Sequence, residues 1–332
     1  MSDRFSTLFI GCGRMAGLDS AGNRETHALT VGMNEKFESS ACVDTNQTSL
    51  SRFSKTYGCN PFDSISEACN SNVFDLAVIA SPSEYHFDHI EQLFGQKTLP
   101  RVVFVEKPLA VTSQQSQQLS AKFRGCGSYL FVNHTRRFDD RFLWLRDQIR
   151  KKRWGKLHRV GATYYGGWIN NGTHIVDTIR MLTGEEVKLS KVIGEKPGKN
   201  PIDPSLEFEG SLADQVSQVW ITAIPSSIYQ IFEFDFWFQN GRLSIKNFGQ
   251  DIQYETCVEN EDGESVLNPV ELDELPLPGL PLALAYKEIA NYLEYGKAGK
   301  VLESASLSQA QRTLKTIFEG VQLRQEMLRK LD

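Results

Sequence analysis

The sequence predicts an α/β protein: an N-terminal doubly wound parallel sheet of the Rossmann type, then an α+β domain with a large, open, mainly antiparallel sheet. Three observations carry this. The first 125 or so residues alternate short, wholly apolar runs with longer amphipathic stretches, as strands covered by helices on both faces do. A glycine-rich turn, Gly11-Cys12-Gly13-Arg14-Met15-Ala16-Gly17, follows the first of these runs directly. From about residue 156 the texture changes to strict alternation of apolar and polar positions, the period of a half-exposed sheet.

The elements follow in order. Leu8-Phe9-Ile10 is the first strand and ends in glycine; residues 39–43 form the second and end at Asp44. Residues 76–80 form the third, ending at Ser81-Pro82, and residues 102–105 the fourth, ending at Glu106-Lys107-Pro108. Helical patterns cover 87–94 and 114–123, and a last strand closes the domain near residue 133. Residues 1–125 are therefore assigned to dinucleotide binding and 126–332 to substrate binding and oligomerisation. In the second domain, residues 231–238 place four phenylalanines on one face, with Glu233 and Asp235 on the other; the stripe reads as core against a helix. Asn240-Gly241 then favours a type I′ hairpin, with 242–247 returning. Residues 196–210, rich in proline and glycine, read as a long loop. Helices over 282–295 and 304–331 close the chain, and these are expected to pack back on the first domain.

At 332 residues the chain has room for about two domains. Its 36 lysines and arginines against 41 aspartates and glutamates give a net charge of −5, which argues against nucleic acid or an anionic membrane as the main partner. Apolar residues at 40% and charged residues at 23% are globular composition, not that of a disordered chain. Six cysteines with no C-x-x-C pair read as reduced thiols in a reducing compartment. The opening residues lack a signal-peptide core, and no stretch approaches the ~20 apolar residues of a membrane span. The expectation is a soluble, cytoplasmic protein. No Cys/His spacing marks a metal site, and no strong carboxylate pair marks an ordinary glycosidase.

The glycine turn has the G-x-G-x-x-A pattern of a dinucleotide-binding loop. Gly11 permits the tight turn, Gly13 lets the backbone approach a diphosphate, and small Ala16 lets the following helix pack close; Cys12, Arg14 and Met15 complete the loop. Asp44 can accept hydrogen bonds from ribose hydroxyls and would repel a 2′-phosphate, which favours NAD over NADP. It lies further on than the usual ~20 residues, so residues 19–24 read as an extra loop before the helix resumes near Thr26. Ser81, Pro82, Glu106 and Lys107 follow later strands, and ligands of open α/β sheets bind beyond such carboxyl ends. Lys107-Pro108 is a candidate cis peptide. His86 either touches cofactor or packs at the start of its helix.

The loop at 11–17, Asp44, ASPSEYH (80–86), VFVEKPLA (103–110), NHTRRFDD (133–140) and GGWINNGTHIVDTIRMLTG (166–184) together resemble the glucose–fructose oxidoreductase / inositol dehydrogenase / rhizopine catabolism group. The resemblance spans roughly the first 185 residues. It implies a Rossmann domain joined to an open-sheet domain, hydride transfer with NAD(P) on a sugar or polyol, and dimers or tetramers. It also implies that the EKP lysine, Lys107, sits near nicotinamide and substrate. An acid four residues before the motif histidine would complete the group with that histidine; here the positions are Asn170 and His174. An amide can hold a hydroxyl but cannot relay a proton, which leaves His174 as the acid/base.

The residues themselves permit Asn170 or Asn171 to cap a helix over 173–182. His174, Asp177 and Arg180 or Met181 would then share a face, with Asp177 able to orient the imidazole. In alcohol oxidation His174 would remove the hydroxyl proton while Lys107 stabilises the alkoxide. Arg136 and Arg137, with Asn170 and Asn171, are candidate substrate contacts, although such arginines also serve as structural ion-pair partners. Two other readings stay open: a non-catalytic NAD-binding metabolite sensor, and a glycosidase that uses bound NAD transiently.

Overall fold

Strands buried on both faces must be apolar throughout, and those runs become the inner strands of a six-stranded sheet. The computed structural model describes residues 4–19, 25–197, 200 and 202–330. Strands β1 (Phe5–Ile10), β2 (Phe37–Val43), β3 (Asn60–Phe62), β4 (Leu76–Ile79), β5 (Val102–Glu106) and β6 (Tyr129–Asn133) lie in the order β3-β2-β1-β4-β5-β6. All pairs are parallel. The order reverses at β1, a switch point of the kind beside which ligands of open α/β sheets bind. Helices α1 (His27–Gly32), α2 (Gln47–Tyr57), α3 (Ile65–Ser71), α4 (His86–Phe94) and α5 (Ser113–Phe123) form the crossovers. Their starts are written locally: Asn46 accepts from Ser49 N, Ser64 from Glu67 N, and Thr112 with Gln115 closes a capping box.

The next elements are α6 (Asp140–Arg150), β7 (Leu157–Tyr165), α7 (Thr173–Thr183), β8 (Val187–Lys196), β9 (Ser205–Leu212), β10 (Gln218–Ile224), β11 (Phe232–Phe238), β12 (Gly241–Lys246), β13 (Asp251–Glu259) and β14 (Ser265–Val270). Three helices, α8 (Pro281–Tyr295), α9 (Lys300–Ser304) and α10 (Leu307–Arg329), follow. The eight strands order as β14-β13-β12-β11-β7-β10-β9-β8, antiparallel except for the parallel pair β7/β10. Phe232, Phe234, Phe236 and Phe238 are buried in one cluster with Ile175, Val176 and Ile179 of α7, so the stripe is core against a helix.

Contacts divide the chain into two units, Met1–Asp139 with Leu280–Gln311, and Asp140–Gly279 with Arg312–Asp332. The boundary expected at 125/126 thus falls at 139/140. The reason is β6, paired with β5 from Val102↔Tyr129 to Glu106↔Asn133. Helix α8 shares the first unit's core through Leu282, Ala285, Tyr286, Ile289 and Leu293.

Two local expectations change. The hairpin pairs Phe238 with Gly241, so Gln239 and Asn240 make the turn, and neither has the positive φ a type I′ turn needs. Gly241 is required for another reason, since a Cβ there would lie 2.1 Å from Glu255 O. The stretch expected to be one long loop contains β9 from Ser205; residues 198, 199 and 201, like 20–24 and 331, lie outside the described residues. Among the described residues, no helix is long and apolar enough to cross a membrane.

Candidate active site

The loop after β1 is built by two glycines with different tasks. Gly11 has φ +89°, and a Cβ there would sit 2.6 Å from the backbone of Ser81, so only glycine lets β1 and β4 end so close together. At Gly13 an added Cβ meets no described atom within 4 Å; the backbone faces open space, as approach by a diphosphate requires. Ala16 is fully buried. Residues 13–17 form one helical turn, with Gly17 N and Leu18 N both donating to Gly13 O at 3.1 Å.

That turn continues into α1 across an excursion of the chain. Met15 O accepts from His27 N (3.3 Å) and Ala16 O from Ala28 N (2.8 Å), bonds an uninterrupted helix would give to residues 19 and 20. Eight residues are therefore inserted. Taking them out brings the spacing from Ala16 to Asp44 from 28 to 20 residues, the usual fingerprint distance. Asp44 Oδ2 accepts from Cys12 N and Oδ1 from Asn46 N, each at 2.7 Å. Each oxygen retains a lone pair for a ribose hydroxyl. The Cys12 side chain is fully buried, while Arg14 and Met15 are exposed, with Arg14 Nε 3.8 Å from Asp19. Open space at Gly13, an exposed cation beside it and a carboxylate ending β2 fit a dinucleotide with an unphosphorylated ribose.

At the end of β4, His86 is a buried strut. Its Nδ1 lies 2.8 Å from Pro108 O and its Nε2 2.9 Å from Ser81 O, linking the loops after β4 and β5. Burial pushes the imidazole pKa down against the upward pull of the two carbonyls and Glu106. The Lys107-Pro108 bond is cis. Sequence reading missed His89, whose Nδ1 lies 2.9 Å from Ser81 Oγ and whose pKa burial also lowers. The available signal was its helical spacing from His86.

Glu106 belongs to a buried network beneath Lys107. Its Oε1 accepts from His27 Nε2 at 2.9 Å and Asn133 Nδ2 at 2.7 Å, and His27 Nδ1 meets Tyr286 Oη at 2.9 Å. Burial alone would raise the carboxyl pKa, but the bonds from His27 and Asn133 and the nearby Lys107 charge hold it low. Glu106, expected as a cofactor contact, is thus buried with protein donors on its carboxylate. Lys107 is partly exposed. Arg136 is half-buried, and Arg137 is buried and donates to Ser304 O at 2.7 Å, the structural role sequence reading had left open.

In the second unit a single π-turn, Trp168–Gly172, precedes α7. Asn171 N and Gly172 N both donate to Gly167 O, at 2.7 and 3.2 Å. Neither asparagine caps α7 as expected: its N-cap is Gly172 without a side-chain bond, and Asn171 Nδ2 donates to Tyr165 O at 2.8 Å. Asn170 is exposed, and its N–H meets Asp203 Oδ2 at 3.1 Å. His174 is half-buried and packs edge-on against Phe232 at 5.8 Å. Asp177 is buried and accepts from Thr313 Oγ1 at 2.9 Å, while the same hydroxyl accepts from Arg180 at 2.6 Å. The first unit thus gathers Gly11, Gly13, Asp44, Ser81, His86 and Lys107, and the second gathers Asn170, Asn171, His174 and Asp177.

Comparison with known proteins adds one family match, two curated relatives and one solved structure. The oxidoreductase family with an NAD-binding Rossmann fold matches residues 5–134. The rhizopine catabolism protein MocA of Rhizobium meliloti is 25% identical over 197 residues, 55% of this chain and 58% of that protein. Inositol 2-dehydrogenase of Rhizobium meliloti (strain 1021) is 26% identical over 220 residues, 59% of this chain and 62% of that protein. The chain spans about three fifths of these curated relatives. Among solved structures, the WlbA dehydrogenase from Chromobacterium violaceum, in complex with NADH and UDP-GlcNAcA, is similar in fold: TM-score 0.77 at 14% identity, covering 98% of this chain and 95% of that one.

Proposed function

We propose that the chain, whose residues 5–134 match the NAD-binding Rossmann model of the Gfo/Idh/MocA oxidoreductase family, is an NAD(P)-dependent dehydrogenase acting on a hydroxyl or keto group of a sugar, polyol or sugar derivative. The observation that carries this reading is the loop after β1, where Gly13 leaves the backbone open beside Asp44. Asp44 favours NAD, because its carboxylate suits ribose hydroxyls and repels a 2′-phosphate.

The cofactor supplies the hydride acceptor. His174 takes the proton of the substrate hydroxyl, and Lys107 stabilises the negative charge growing on the oxygen. Asn170 holds a neighbouring hydroxyl, its amide both donating and accepting but moving no proton. In reduction the same groups return the proton. The small-molecule substrate belongs to the polyol class named by the inositol 2-dehydrogenase relative. The working form is a homodimer or homotetramer, in keeping with Trp220, 42% exposed on the sheet beneath Arg159.

The test is a panel of sugars and polyols, myo-inositol included, given to the purified protein with NAD+ while the absorbance of reduced nicotinamide is followed. Growth with at least one compound is expected, and less of it with NADP+. Asn170, an amide where the family motif carries an acid, favours a second reading: a sensor that binds NAD and a metabolite without turnover. NAD binding with no growth for any compound would establish that alternative. Cleavage of a chromogenic glycoside without net cofactor reduction would point to a glycosidase.

A further inference from the structure

A π-turn ahead of a helix creates a specific shortage of acceptors. Because Gly167 O takes the N–H groups of Asn171 and Gly172, those of Trp168, Ile169 and Asn170 have no acceptor inside the turn. Two consecutive residues of the β8–β9 connection meet all three. Trp168 N donates to Pro204 O at 2.9 Å, Ile169 N to Asp203 Oδ1 at 2.8 Å, and Asn170 N to Asp203 Oδ2 at 3.1 Å. The carboxylate spans successive donors, one oxygen each, at the end of a helix where negative charge is favoured.

The surroundings hold this clamp in place. Ser205 donates its hydroxyl to Gly166 O, and Tyr164 Oη both donates to Leu206 O (2.9 Å) and accepts from Leu206 N (2.8 Å). From below, Trp168 Nε1 donates to Ile317 O at 2.8 Å. Gly167 leaves room: a Cβ there would lie 2.0 Å from Asp203 Oδ2. The residue held by the second oxygen is Asn170 itself, and His174 lies four residues further along the same helical path.

We propose that Asp203 is a positioning residue for this site, clamping the backbone at 169 and 170 so that Asn170 and His174 are presented to substrate in one fixed geometry. The proposal rests on the dehydrogenase reading for its kinetic consequence, but not for its structural one. Displacement of reacting groups by about 1 Å costs up to about 10²-fold in rate, so loss of the clamp falls on kcat.

The experiment uses the full chain and four proteins: Asp203→Ala, Asp203→Asn, Gly167→Ala and the double variant Asp203→Ala/Gly167→Ala. Amide hydrogen exchange at Ile169 and Asn170 is read beside kcat and KM for a panel substrate and NAD+ affinity. In Asp203→Ala, exchange at those two amides accelerates while β1–β6 amides stay protected, and kcat falls up to about 10²-fold with NAD+ affinity unchanged. Asp203→Asn keeps one acceptor and lies between. Gly167→Ala pushes a methyl into the carboxylate and reproduces the Ala phenotype, and the double variant is no worse than either single one. Unchanged exchange at 169 and 170 overturns the clamp. Faster exchange with kcat and KM unchanged, or kcat losses that merely track melting temperature and add in the double variant, overturns the positioning role. If no compound turns over in the wild type, the dehydrogenase reading fails while the exchange arm still decides the clamp.

Discussion

Two aspartates do the same physical work in the two units. Asp44 accepts from Cys12 N and Asn46 N and so ties the glycine loop to the end of β2. Asp203 accepts from Ile169 N and Asn170 N and so ties the π-turn to the β8–β9 connection. Each reaches back over a similar length of chain, 32 residues to Cys12 and 33 to Asn170. The difference lies in what delivers them. Asp44 is placed by a parallel ladder, Phe9↔Cys42 and Ile10↔Val43, whose apolar period is visible in the sequence. Asp203 is placed by an irregular connection with no period. Two carboxylate clamps can thus have very unequal signatures.

The largest expected effect probes what lies beneath the first unit's site. His27→Leu would leave the buried Glu106 carboxylate without its imidazole partner, and about 3–5 kcal/mol of stability should disappear in chemical denaturation. A loss below about 1 kcal/mol would mean the network is incidental. Next come the two glycines. Gly11→Ala meets Ser81 backbone at positive φ and should cost about 2 kcal/mol or more. Gly13→Ala should leave stability within about 1 kcal/mol while weakening NAD+ binding in calorimetry, because an added Cβ meets no described atom within 4 Å and would meet the ligand. Equal stability losses at both would erase the distinction between a packing glycine and a binding glycine.

Asp44→Ala should cost about 1–3 kcal/mol, mainly from the part-buried Cys12 N–H left unanswered, and narrow the preference for NAD+ over NADP+. The smallest effect is with acid. His86 and His89 have folded pKa values below the ordinary ~6.5, so their neutral forms stabilise the fold above that pH, and the contribution fades as pH falls below it. Glu106, also held low, adds a loss only below its usual range near 4.3. Melting temperature should therefore decline from about pH 6.5 downwards, more shallowly in His89→Gln, and an unchanged slope in that variant would count against the assignment.

How far the sequence could be read follows the same division. The inner strands, the glycine loop, the cis Lys107-Pro108 bond and the phenylalanine stripe were legible because period or local chemistry specifies them. The eight-residue insertion was legible only as an overlong spacing to Asp44. Strands β8, β9 and β14 are short of the apolar alternation that marks β11, and β3 is three residues long. Asp203, Thr313 and Tyr286 act on residues 33, 136 and 259 positions away, and nothing in their own neighbourhood announces it. The asparagines at 170 and 171 look like caps, but the π-turn moves the helix start past them.

The most direct test takes Lys107→Ala and His174→Ala separately, measuring turnover of a panel substrate alongside the NAD+ dissociation constant and the melting curve. Each variant should keep its fold and its NAD+ affinity while turnover falls by about 10²–10⁴-fold. Turnover retained in both, at an intact fold, would contradict the assignment of the lysine and the histidine to the reaction.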